Sequence, residues 1–196
     1  MGVRRFTGGG TIVMANLKHR RRTSGGALEL EVFEATLPSE LDEVRALFRA
    51  FVAWHRQRHV EDLGLVDGYF DTAAFDAELA GLPGPYAPPR GRLLPARQAG
   101  EPAGCVALRP INDASCEMKR MFVDPHRHGQ GVGRALADAI VGHARDAGYS
   151  QMWLDTSVHQ TEAQNLYSSM GFETVDAYYD LPPELVHWLV FMRLKL

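Results

Sequence analysis

The sequence predicts an α/β (α+β) fold, a mixed sheet of about seven strands with about four helices packed on its faces. Short stretches of two-residue apolar alternation mark the strands, longer stretches at helical spacing stand between them, and one glycine loop joins a strand directly to a helix. At 196 residues and 45% hydrophobic, the chain can bury one substantial core and is short for two, so residues 28–196 are expected to form a single domain.

The first strand begins at Leu28, where Leu28, Leu30 and Val32 alternate with Glu29 and Glu31. Pro38 with Glu40, Asp42 and Glu43 opens a helix to about Arg58, its acids near the positive end of the dipole and Leu41, Val44, Phe48 and Phe51 at helical spacing. A shorter helix is expected near Thr72 to Ala80. The segment from Leu82 to Gly91 holds four prolines and two glycines, which oppose regular structure. Strands follow at Arg92 to Arg97, Ala103 to Pro110 (after a Gly100-Glu101 turn) and Ser115 to Val123, a meander. Next come the loop, a helix from about Gly131 to Ala147 stopped by Gly148, and a strand Gln151 to Thr156. A helix Thr161 to Met170, burying Ala163, Leu166, Tyr167 and Met170, stops at Gly171. Strands near Phe172 to Asp176 and His187 to Leu194 end the chain.

The 21 basic and 24 acidic residues give a net charge of −3, which offers no reason to expect nucleic acid as a partner. Six of the basic residues (Arg4, Arg5, Lys18, Arg20, Arg21, Arg22) lie in residues 1–27 with no acid, leaving 15 basic against 24 acidic residues, a net −9, from Leu28 onward. That glycine-rich basic stretch has little to bury and is expected to be a disordered extension. No stretch approaches the roughly 18 apolar residues of a membrane span, and no apolar run of about 7 to 15 follows the N-terminal basic residues. A cytoplasmic protein away from membranes is expected, and Cys105 and Cys116 need form no disulfide.

Gly129, Gly131 and Gly133 alternate at the strand-to-helix junction, so amides can converge on a phosphate together with the positive end of the helix dipole, worth roughly 0.3 to 2 kcal/mol to an anion. Arg127, His128 and Arg134 add charge. Glycines serving only a tight turn are the plainer alternative. A P-loop is excluded, since Arg134-Ala135 stands where Lys-Ser/Thr would be. A dinucleotide fingerprint would need glycine at Arg134, although Asp155 lies where a ribose-binding acid would stand.

The stretch Val123-Asp-Pro-His-Arg-His-Gly-Gln-Gly-Val-Gly-Arg-Ala-Leu136 resembles the acetyl-coenzyme A motif of the GNAT superfamily of N-acetyltransferases, Gln/Arg-x-x-Gly-x-Gly/Ala. Ala163-x-x-Leu166-Tyr167-x-x-x-Gly171-Phe172 is similar to that superfamily's later motif. The resemblance covers about Leu28 to Leu196. It implies a mostly antiparallel sheet, acetyl-CoA as acyl donor, no metal, a primary amine of a small molecule or protein as acceptor, and direct attack in a ternary complex. A homodimer fits it as well. It places the pyrophosphate on His128, Gly129, Gln130, Gly131, Val132, Gly133 and Arg134, and the pantetheine arm on the amides of Met121, Phe122 and Val123, one also facing the oxyanion. Gln160 stands where most relatives have Asn, and His128 where most have Gln or Arg; an imidazole is mostly neutral at pH 7.

Acyl transfer needs an uncharged nucleophile, an oxyanion donor and a proton for the thiolate. By the resemblance, Glu117, eleven residues before His128, is the general base and Tyr167 the general acid. Glu117 paired with Lys119 on a solvent-facing strand, and Tyr167 as a core aromatic, are the alternatives. Cys116 reads as a small buried residue, and His126 with His128 lacks a third metal ligand. Trp54, His55, Tyr69, Phe70 and Tyr86 come from the region that shapes the acceptor pocket in relatives. A different class of protein, an acyl-CoA-binding or sensing module without turnover, would keep the loop and dispense with Glu117 and Tyr167.

Overall fold

The computed structural model describes residues 29–196. The extension expected over residues 1–27 lies outside the described residues, as does Leu28. The chain runs β1 (Leu30–Val32), α1 (Pro38–Arg58), α2 (Leu63–Tyr69), α3 (Thr72–Ala80), β2 (Arg92–Gln98), β3 (Glu101–Pro110), β4 (Ser115–Val123), α4 (Val132–Asp146), β5 (Gln151–Ser157), α5 (Thr161–Ser169), β6 (Glu173–Val175), α6 (Pro183–Val186) and β7 (Leu189–Lys195). The strands form one sheet in the order β1-β2-β3-β4-β5-β7-β6. Every pairing is antiparallel except β4 with β5.

The mixed, mostly antiparallel seven-stranded sheet is as expected, but the described residues hold six helices rather than four. The additional ones, α2 and α6, span seven and four residues. Neither is long enough to show a 3.6-residue period, and α2 carries Gly64 and Gly68. The turn between β2 and β3 falls at Ala99-Gly100, one residue earlier than expected, with φ of 53° and 83°. Two left-handed residues match the twist of a two-residue hairpin.

Helix α1 starts at Pro38, and the Glu40 carboxylate accepts the N–H groups of Thr36 (2.8 Å) and Leu37 (2.9 Å), fixing the chain's entry. Its Val44 and Phe48 join Phe70, Leu79, Phe122 and Phe191 in a core on one face of the sheet. On the other face α4 buries Leu136, Ile140 and Ala144 against Met118, Met152 and Leu154. Helix α4 stops at Gly148, whose φ is 82°. Of the four α5 residues expected in this core, Tyr167 alone is fully buried. Ala163, Leu166 and Met170 are partly buried and packed against that core, and Ala163 and Leu166 also line a cavity.

Candidate functional site

Along β4, Cys116 and Met118 belong to the α4/α5 core. Two-residue alternation therefore sends Glu117 and Lys119 to the α1–α3 face. At Arg120 the alternation breaks. Its φ is 55°, and the pairing with β3 shifts so that Cys105 opposes Phe122 while Ala107 opposes Lys119. This bulge kinks β4 away from β5. The parallel ladder between the two strands covers Ser115–Glu117 against Gln151–Trp153 and ends there. Strand β5 continues with β7 to Ser157, so a gap opens between Met121–Val123 and Leu154–Thr156. Gly104 permits the kink, because a Cβ there would stand 2.4 Å from the Phe122 carbonyl oxygen.

A cavity of about 360 Å³ fills the gap and reaches both faces of the sheet. On the α4/α5 face it is lined by backbone. Gly129 and Gly131 take φ of 73° and 83°, which brings the chain round to the start of α4. The first helical bond runs from Ala135 N–H to the Gly131 carbonyl (3.0 Å), so the amides of Val132, Gly133 and Arg134 have no helical partner. Gly133 differs from the other two glycines: it is helical, and a Cβ there would point among Val123, Leu166 and Met121. Arg134 pairs with Asp138 (2.9 Å). The His128 Nε2 lies 3.0 Å from the Val123 carbonyl and its ring meets Trp54 edge-on.

Tyr167 lines the same cavity from α5. Burial, and then the Asp155 charge, push its phenol far above the ordinary value, so it stays protonated and able to donate. Gln160 accepts the Thr156 hydroxyl at Oε1 (2.6 Å), while its Nε2 lies 3.3 Å from His55 Nε2.

On the α1–α3 face the cavity is lined by side chains. Lys119 Nζ donates to Asp155 (2.8 Å) and to the Tyr69 hydroxyl (3.2 Å), and Tyr69 donates a short hydrogen bond to the other Asp155 oxygen. Burial by itself raises the Asp155 carboxyl, yet Lys119 and the tyrosine hydrogen bonds hold it below the usual range. Burial would lower Lys119, but Tyr69, Asp155 and Glu117 keep it well above the ordinary lysine value. Burial and the Asp155 charge push Tyr69 up to about 12. Arg120 pairs with Glu78 of α3, and Arg58 grips Glu162 through both carboxylate oxygens (3.0 and 3.1 Å).

The structure brings together Met121, Phe122, Val123, His128, Gly129, Gly131, Val132, Gly133, Arg134, Gln160 and Tyr167 around one cavity. Two of the expected residues stay outside it. Gln130 turns away, its side chain donating to the His126 carbonyl (2.9 Å) and its amide to that of Arg127 (3.3 Å). Glu117 is 1% exposed and enclosed by Arg109 Nε (2.5 Å), the Tyr178 hydroxyl (2.6 Å) and Lys119 (3.4 Å). The carboxylate at the gap is Asp155. Hemmed in by Lys119 and Tyr69, it is not placed as an exposed strand-end acid for a ribose. Of the aromatic and histidine residues expected at the acceptor, Trp54 and Tyr69 line the cavity, while His55, Phe70 and Tyr86 are buried beside it. Cys105 and Cys116 are free and buried, and burial pushes the Cys116 thiol up to about 12. Among the described residues no cluster of three or more His, Cys, Asp or Glu could hold a metal, and no helix is long and apolar enough to cross a membrane.

Residues 68–172 match the acetyltransferase (GNAT) family. Over 169 residues the chain is 34% identical to an uncharacterised N-acetyltransferase of Schizosaccharomyces pombe, covering 85% of this chain and 95% of that protein. An acetyltransferase from Streptococcus agalactiae shares the fold with a TM-score of 0.64 at 20% identity, over 85% of this chain and 98% of that one. A PaiA N-acetyltransferase of Thermoplasma acidophilum, solved in complex with coenzyme A, shares it with a TM-score of 0.64 at 14% identity, over 86% and 100% of the two chains.

Proposed function

The chain belongs to the acetyltransferase (GNAT) family and is an N-acetyltransferase with an acetyl-CoA-binding fold, and from that premise we propose that it acetylates a primary amine by direct attack within a ternary complex, Tyr167 serving as acid and Asp155 as the proton acceptor. The observation that carries the reading is the convergence on one through-sheet cavity of the unpartnered α4 amides, the open edge of β4 and the Tyr167 phenol. The amides of Val132, Gly133 and Arg134 would take the pyrophosphate, as helix N-termini do. The pantetheine arm would add to Met121–Val123 as a half-strand and carry the thioester into the gap.

The amine then enters from the α1–α3 face. As its nitrogen bonds to the carbonyl carbon, negative charge develops on the oxygen and is met by a β4 amide. When the C–S bond breaks, Tyr167 protonates the departing sulfur. The N–H proton goes to Asp155 while Glu117, 3.4 Å from Lys119, remains that cation's counter-ion, and solvent returns the proton to Tyr167 between turnovers. Glu117, expected as the base, holds Lys119 from behind and so fixes Asp155.

Release of free thiol from acetyl-CoA in the presence of an amine panel tests the reading. Tyr167→Phe and Asp155→Asn should each lower kcat by about 10²-fold with coenzyme Kd unchanged by calorimetry. A loss confined to Glu117→Gln would return the base to Glu117. Tight coenzyme binding with no thiol released by any amine would favour a sensing module.

A further inference from the structure

Resting on the transferase reading, the acceptor half of the cavity also indicates what kind of amine it takes. Two acids line the whole cavity, Asp155 and Glu162, against five cations, Arg58, Lys119, Arg120, Arg127 and Arg134. Arg127 and Arg134 lie by the pyrophosphate loop. On the acceptor side every charge is already matched: Lys119 with Asp155, Arg58 with Glu162, and Arg120 with Glu78. Lys119 is 13% exposed and Arg120 14%. Asp155 already accepts from Lys119 and Tyr69, and Glu78 from Arg120 and Tyr86, so a second cation finds both carboxylates occupied.

What remains for a ligand between these pairs is aromatic surface. Phe51 and Trp54 of α1 approach Phe122 of β4 at 5.8 and 6.4 Å between ring centroids, and Tyr69 of α2 closes the floor beside Asp155. Arg58 covers the outer side of Trp54, its guanidinium 5.3 Å from the ring centre. A chamber of rings with all its charges paired suits one nitrogen on a flat apolar body. With five cations against two acids in its lining, it disfavours the second and third ammonium groups of a polyamine and the basic flanks of a lysine in a cationic peptide. We propose that the acceptor is an arylalkyl primary amine.

The test compares kcat/KM for 2-phenylethylamine and tryptamine with that for spermidine and for a lysine peptide with basic flanks, at saturating acetyl-CoA. The aryl amines should lead by about tenfold or more. Phe51→Leu should raise the 2-phenylethylamine KM about fivefold and leave coenzyme Kd unchanged. Phe51→Met provides the same comparison if Phe51→Leu does not fold. Spermidine or the peptide turning over faster than both aryl amines would overturn this proposal and leave the transferase reading standing. Thiol release from none of the four, with coenzyme still bound, would overturn this proposal, and silence across the whole amine panel would overturn the transferase reading with it.

Discussion

On the α4/α5 face of the gap the groups offered to a ligand are backbone amides of Val132, Gly133 and Arg134, whereas on the α1–α3 face they are side chains, each cation locked to its own carboxylate. Amides at a helix start are fixed by the fold and need no counter-ion, so that side can hold an anion with little rearrangement. Buried ion pairs behave otherwise, because each partner depends on the other to remain charged. Damage to the backbone side should therefore weaken the coenzyme, and damage to the ion-pair side should first destabilise the fold.

Lys119→Met would test that contrast most severely. It leaves Asp155 and Glu117 facing one another without their shared cation, at a cost of about 3–5 kcal/mol and a fall in Tm on the order of 10 °C by calorimetry. A fall under about 2 °C would show that the cation network is not what holds this face together. The next effect comes from His55, buried in α1. Burial first, then the charges of His59, Arg120 and Arg58, press its pKa down to about 3. An unfolded chain would protonate it near 6.5, so its contribution is complete above that pH and drains away as pH falls toward 3. Between pH 7 and pH 5 that amounts to about 2 kcal/mol, visible as a lower Tm that His55→Asn should flatten.

The backbone side is probed by Gly131→Ala. At φ 83° a Cβ costs roughly 1–2 kcal/mol, so the loop should relax and coenzyme Kd rise about tenfold while the acceptor KM holds. An unchanged Kd would mean that the grip does not depend on this turn. The smallest effect is expected from His128→Arg. A permanent cation at the loop should tighten coenzyme binding about threefold, more at low salt, despite losing the contact with the Val123 carbonyl. Weaker binding would place that contact above charge.

The two faces also differ in how far the sequence announced them. The backbone-lined side is local. His128 to Arg134 are consecutive, Leu166-Tyr167 and Gly171-Phe172 lie on one helix and its exit, and glycines at a strand-helix junction have few other uses, so the cavity was legible there. The side-chain-lined side joins residues far apart in the chain: Tyr69 meets Asp155 across 86 positions and Lys119 meets Asp155 across 36. No spacing rule reports such a contact. Helix α2, which brings Tyr69, is too short and glycine-rich to declare itself. The resemblance marks Glu117 by its spacing from His128, and two-residue alternation puts it on the α1–α3 face beside Lys119. What alternation could not reveal was the bulge at Arg120, which ends the ladder just beyond Glu117 and leaves Asp155, from the neighbouring strand, at the opening. The sheet was readable because five of its strands run seven to ten residues; its interruption was not, because one left-handed arginine causes it.

That short parallel seam has a consequence for the protein's persistence. β4 and β5 share backbone pairing over three residues, Ser115–Glu117 with Gln151–Trp153, so the two halves of the sheet meet along a narrow join. A pantetheine arm laid against Met121–Val123 would extend the join with its own amides, making the cosubstrate a temporary part of the architecture. At a free concentration a hundred times its Kd, such a ligand adds about 2.7 kcal/mol to the folded state. The supply of acyl donor would then govern how long each molecule survives as well as how fast it works.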